Sequence, residues 1–135
     1  MAELAVTDSH GLVWYALGRR RKIGSKAKRL FDRADRGQAA IYIPTIVLVE
    51  IAEASHRGSV QLKDGFATWC AQLLSSPYFI PVELSVDVVI KAEELYGIKE
   101  RGDRLIAATA VTLNLPLLTR DPSIAEAAGV DVIWS

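Results

Sequence analysis

Thiols and imidazoles are nearly missing from this chain: Cys70 is the one cysteine, and His10 and His56 are the two histidines. A lone cysteine closes no internal disulfide, and these side chains cannot assemble a cysteine/histidine zinc site. Any bound metal would therefore be held by oxygen. Net charge is missing as well, since 16 basic residues offset 16 acidic ones and the pI is near 6.7. Bulk electrostatics thus neither supports nor excludes a nucleic-acid partner, and only local clustering carries information. Long apolar runs are absent too. Glu3 and Asp8 precede any sustained apolar stretch, and none approaches the roughly eighteen residues of a membrane span. The expectation is a cytoplasmic protein with neither signal peptide nor membrane helix. Internal repeats and low-complexity linkers do not occur.

What is present is an ample apolar content. Of the 135 residues, 50% are hydrophobic and 24% charged, the profile of a folded domain. The length suits one hydrophobic core, so residues 1–135 are expected to form a single domain. Strand and helix patterns alternate. Residues 4–7 read as a strand closing on Asp8-Ser9-His10-Gly11, followed by a short helix over 12–17 whose Trp14 and Tyr15 face the core or a partner. Helical spacing of Ala27, Leu30, Phe31 and Ala34 ends at Gly37, and 39–43 form a strand stopped by Pro44. Thr45 then N-caps a helix over 46–54. A helix over 66–74 turns Trp69, Cys70 and Leu73 inward, and Pro81 marks the strand 79–82 as an edge. The helix over 86–96 is expected to place Val86, Val89, Ile90 and Leu95 in the core, with Glu93 and Glu94 in solvent.

The chain's organising unit follows. Gly102 and Asp103 head an Ala- and Leu-rich helix that is apolar on most of its circumference, and Asn114 and Pro116 end it. Residues 115–119 fit a strand buried on both faces, Pro122 starts a short helix through Ala128, and 130–134 close the chain as a strand. Such alternation predicts a parallel sheet with helices on both faces, whose ligands sit at the carboxyl ends of the strands.

Acids gather at that edge. Asp8 ends the first strand and Asp121 follows the fourth, Glu50 lies in the helix after the second, and Asp103 heads the helix before the fourth. Glu50 stands out because Val47, Val49, Ile51 and Ala54 surround it, a costly setting for a carboxylate without a compensating cation or donor; Glu53 better suits a solvent-facing role. Asp8 and Asp121 each also have a capping explanation, and capping and function can coexist. Convergent carboxylates repel one another until a hard divalent cation such as Mg²⁺ or Mn²⁺ relieves them. Such an ion activates water for phosphodiester hydrolysis without a histidine base. Seven bases between Arg19 and Arg29, with no acid among them, form the chain's candidate phosphate-binding segment, led by Arg19, Arg20, Arg21 and Lys22.

These motifs resemble the PIN-domain ribonucleases, specifically the toxins of VapBC-type toxin–antitoxin pairs. Asp8-Ser9-His10-Gly11-Leu12-Val13-Trp14 is similar to the family's Asp-Thr-His-Ala-Leu-Leu-Trp opening, with Ser9 keeping the hydroxyl of the usual Thr. Asp103-Arg104-Leu105-Ile106-Ala107-Ala108-Thr109-Ala110 matches its signature, Val49-Glu50-Ile51 its helical acid and Leu118-Thr119-Arg120-Asp121 its last motif. The resemblance implies a three-layer α/β/α fold around a parallel sheet of about five strands. It implies a Mg²⁺ or Mn²⁺ pocket of Asp8, Glu50, Asp103 and Asp121, with Thr119 as a supporting hydroxyl. It further implies endoribonuclease activity on transfer, ribosomal or messenger RNA, homodimerisation, and inhibition by a VapB-like antitoxin, for which an apolar groove near Trp14 and Tyr15 is expected. The loop Lys99-Glu100-Arg101-Gly102 stands where relatives often carry Asp-Pro-Ala. That departure implies loss of an auxiliary acid and argues against a second tightly bound metal.

Other readings compete. An aspartyl-nucleophile phosphatase needs a second carboxylate two residues after the first, where this chain has His10. A receiver-like phosphoacceptor needs a lysine after a late strand, where Thr119-Arg120-Asp121 stands. A non-catalytic RNA-binding or scaffold protein of the same fold is the alternative from another class.

Overall fold

The computed structural model describes residues 3–135. Its five strands are β1 (Glu3–Thr7), β2 (Ala39–Pro44), β3 (Phe79–Val82), β4 (Leu117–Leu118) and β5 (Val132–Ile133). They form one sheet in the order β3-β2-β1-β4-β5, parallel at every pairing. The helices are α1 (Ser9–Ala16), α2 (Ser25–Asp35), α3 (Thr45–Arg57), α4 (Gly65–Leu73), α5 (Val86–Glu93), α6 (Arg101–Leu113) and α7 (Pro122–Ala128). The result is the expected α/β/α arrangement. No described helix is long and apolar enough to cross a membrane.

The strand order reverses at β1, which lies between β2 and β4, and the register Val6↔Leu117 and Thr7↔Leu118 sets the ends of β1 and β4 side by side. Asp8 donates its backbone N–H to the Leu118 carbonyl at 3.1 Å, continuing that alignment one residue past the strand. A reversal of this kind leaves a crevice, because the helices leaving the two neighbouring strands diverge. Ala5, Val6, Ile41, Ile43, Leu117 and Leu118 are all fully buried, as expected of central parallel strands covered on both faces. The edge position of β3, predicted from Pro81, is observed.

Helix α6 owes its place to small side chains. Ala107, Ala108 and Ala110 are completely buried, so its backbone approaches its neighbours closely, and the hydroxyl of buried Thr109 is satisfied by the Leu105 carbonyl at 2.8 Å. Asn114 then adopts the left-handed conformation at φ 55° and ends the helix. Its start lies earlier than expected: Glu100, not Gly102 or Asp103, occupies the cap, and Arg101 is the first helical residue.

Four further expectations are corrected. Thr45 is the first residue of α3 and makes no capping bond, the cap position being taken by Pro44. The strand expected over 115–119 pairs only at Leu117–Leu118, and that expected over 130–134 only at Val132–Ile133. Helix α5 buries Val88 and Ala92 against Ala108 of α6 and exposes Val86 at 74%, Val89 at 50% and Ile90 at 59%. Four of its first five residues are large and apolar, so periodicity could not choose the inward face. Contact with α6 selects the stripe of Val88, Ala92 and Leu95, spaced at one and two helical turns.

Candidate active site

A cavity of about 460 Å³ opens at the carboxyl edge of the sheet. Its lining combines the acids Asp8, Glu50, Glu100 and Asp103 with the apolar Val13, Trp14, Ile51 and Val60 and the cations Arg19 and Arg57. The acids come from separate parts of the chain: the β1–α1 junction, α3 and the start of α6.

Asp8 stands at the N-cap of α1 in extended backbone, where its Oδ1 accepts the Gly11 N–H at 2.9 Å. The side chain of Thr119, buried one residue past β4, lies near enough to favour the charged form of Asp8, and its Oγ1 accepts the Asp121 N–H at 3.2 Å. Burial pushes the Asp8 carboxyl above the usual carboxylate range; the Gly11 hydrogen bond and the nearby Thr119, His10 and Arg120 partly offset this. The capping and pocket roles of Asp8 therefore coexist. Ser9 donates its hydroxyl to Glu50 Oε1 at 2.5 Å, tying α1 to α3 across the pocket. Glu53, by contrast, is exposed.

Asp103 is pushed up to about 6 by burial first, and then by the charges of Glu100, Glu50 and Asp8, with His10 opposing. Its carboxylate is not occupied in capping, because Glu100 takes that role: Oε1 accepts the Gly102 N–H at 3.0 Å and Oε2 the Asp103 N–H at 2.6 Å. Sequence reasoning passed over Glu100 as part of a charged loop and read an auxiliary acid as missing. It lies in the cavity wall three residues before Asp103. The legible signal was the spacing, since a residue three before the acid of a first helical turn sits at the cap.

Asp121 goes elsewhere. It N-caps α7, where Oδ1 accepts the Ser123 N–H at 2.9 Å and the Ser123 hydroxyl at 2.6 Å, and it does not line the cavity. Pro122 at the first helical position has no N–H to offer, so the next residue supplies the donor. Three of the four predicted acids thus share one cavity and the fourth serves its own helix. Among the described residues, no three acidic or histidine side chains stand together as a ready metal-holding set.

The basic segment divides. Arg19 reaches the cavity, whereas Arg20 is paired with Asp32 of α2 and lies over the Tyr15 ring at 5.2 Å. Lys22 and Arg120 lie over the Trp14 ring at 5.6 and 5.1 Å. Arg21 is exposed. Arg57, at the end of α3, is the pocket cation that sequence reasoning missed. Of the groove expected near Trp14 and Tyr15, the Trp14 half is present, since Trp14 lines the cavity with Val13, Ile51 and Val60, whereas Tyr15 is packed inward and stacks on Phe31 at 4.6 Å.

A family model described as "PIN domain" matches residues 5–130. No curated protein matches the chain. Among solved structures, a VapBC2 complex of Rickettsia felis bound to a promoter DNA fragment is similar, with TM-score 0.72, 17% identity, and coverage of 98% of this chain and 99% of that one. A DNA-bound VapBC of Salmonella typhimurium gives 0.65 at 13% identity, covering 98% and 97% respectively. FitAcB of Neisseria gonorrhoeae gives 0.63 at 18%, covering 96% of each chain. At these identities the likeness is one of fold.

Proposed function

The chain belongs to the PIN-domain family, and from that premise we propose that it is a Mg²⁺- or Mn²⁺-dependent endoribonuclease, the toxin of a toxin–antitoxin pair. The observation that carries the reading is the meeting of Asp8, Glu50 and Asp103 at one cavity, with Asp103 raised to about 6 by burial and by the charges of its neighbours. Repulsion of that kind is what a hard cation relieves. Mg²⁺ retains several waters and is held by one or two carboxylates together with substrate phosphate, so the absence of a closed protein shell suits it. Asp8 and Asp103 are the residues that would hold it, with Glu50 alongside. When bound, the ion would supply charge stabilisation at the phosphodiester and a water of lowered pKa.

The chain's own side chains do the rest. The Gly11 N–H holds the Asp8 carboxylate, Ser9 holds that of Glu50, and Glu100 holds the α6 terminus on which Asp103 is mounted. Carboxylates restrained in this way reorganise little during the reaction, which is how preorganised sites lower a barrier. Arg19 and Arg57 line the cavity and would neutralise phosphates flanking the bond to be cut, and Val13 and Val60 supply apolar wall beside it. The test is hydrolysis of a mixed RNA substrate with Mg²⁺ or Mn²⁺ by the native chain, Asp8→Asn and Asp103→Asn. Equal cleavage by all three would refute the proposal.

The fold of the similar toxin–antitoxin complexes supports a VapB-like antitoxin as partner. A homodimer is supported by the outer face of α5, where Val86, Val89 and Ile90 present an apolar surface to solvent. In a two-fold dimer such a patch meets its own copy and needs no complementary charge. Light scattering on Val86→Glu/Ile90→Glu should then give a monomer that still cleaves RNA in the assay above. A dimer of unchanged mass would remove α5 from the interface.

A further inference from the structure

Gly102 is the second residue of α6, in the first helical turn, where alanine is the better helix former and no unusual backbone angle calls for glycine. It is buried. A methyl group built there would lie 2.1 Å from Glu50 Oε2, 2.8 Å from Glu50 Cδ and 3.2 Å from Glu100 Oε2. The Glu50 carboxylate therefore occupies the volume that any other residue at 102 would fill. With a hydrogen at this position, the Glu50 side chain of α3 rests directly against the first turn of α6 in this chain.

We propose that Gly102 is a positioning residue for the candidate metal site. Its missing side chain is the clearance that seats the Glu50 carboxylate between Ser9 and the start of α6, one residue before Asp103. The inference rests on the metal-nuclease reading and adds to it a determinant outside the set of acids. A clash with the far end of a flexible side chain is relieved by moving that side chain. Gly102→Ala should therefore leave the fold intact and displace the carboxylate.

The test has two arms. A crystal structure of the metal-free Gly102→Ala protein is expected to show the Glu50 carboxylate moved and its hydrogen bond to Ser9 broken, with the thermal midpoint within about 3 °C of the parent. Titration with Mn²⁺, followed by calorimetry, is expected to show affinity about tenfold weaker. Glu50→Asp withdraws the carboxylate by one methylene. In the parent it should weaken Mn²⁺ binding, whereas in the Gly102→Ala background it should restore most of the loss. Glu50 unmoved in the crystal, or losses that merely add in the double variant, would overturn the inference. A parent chain that takes up no Mn²⁺ would overturn the metal reading, and the metal-free crystal structure would still decide whether Gly102 seats Glu50.

Discussion

Helices α6 and α7 both begin beside the sheet's carboxyl edge, both carry an aspartate at the start, and they use it in opposite ways. At α7 the Asp121 carboxylate is taken up by the N–H and hydroxyl of Ser123. At α6 the corresponding donors, the N–H groups of Gly102 and Asp103, are taken by Glu100. Asp103 is thereby left facing other acids, and its carboxyl rises to about 6. An acid at a helix start is a cap unless another residue has already claimed the donors. Glu is not a favoured cap, but here its two carboxylate oxygens take both donors and leave Asp103 free.

The largest effect should come from removing charge on the α6 side of this contrast. Asp103→Asn or Asp8→Asn is expected to lower RNA cleavage by about 100-fold or more, since outer-shell changes alone typically cost 10–100-fold. Asp121→Ala should leave cleavage within about tenfold while lowering stability by about 1 kcal/mol, the usual value of a lost N-cap. Cleavage rates and thermal unfolding of the three variants separate the roles. An Asp121→Ala protein as inactive as Asp103→Asn would erase the distinction.

A pH experiment sharpens it. Because the folded carboxyl of Asp103 is raised from 3.8 to about 6, the native state binds more protons than the unfolded state between those values. Stability of the metal-free protein should therefore rise as pH falls from 7 through 6 towards 4. After allowance for solvent screening, this residue's contribution is about 1 kcal/mol. Asp103→Asn should remove that part of the slope in unfolding curves, and an unchanged slope would assign it to other groups.

The smallest effect concerns the basic segment. Arg19→Ala and Arg57→Ala should each weaken RNA binding a few-fold and reduce the salt slope by about one. Arg20→Ala should do less, because Arg20 is already paired with Asp32. Binding isotherms at several salt concentrations make the comparison, and equal losses at Arg19 and Arg20 would contradict the division.

Alternation of strand and helix patterns was enough to read the parallel sheet and the edge strand with Pro81, because side-chain period and proline's missing N–H are local properties. Asp8, Glu50 and Asp103 were legible from equally local features: Asp8 ends a strand pattern, Asp103 heads a helix pattern, and Glu50 departs from its apolar neighbours. The inward face of α5 was not legible. Val86, Val88, Val89 and Ile90 all qualify for burial by composition, and contact with Ala108 of α6 alone selects Val88.

The order of residues by itself determined which elements form and which acids sit at their ends, since propensity, capping chemistry and apolar spacing act over a few residues. Which of those acids meet was decided by the tertiary structure. Glu50 reaches α6 across 52 residues of chain because Gly102 leaves room for it, and Asp103 is freed because Glu100 holds the helix end. Clearances and competition for hydrogen-bond donors are properties of packed elements, and only the folded sheet brings those elements together.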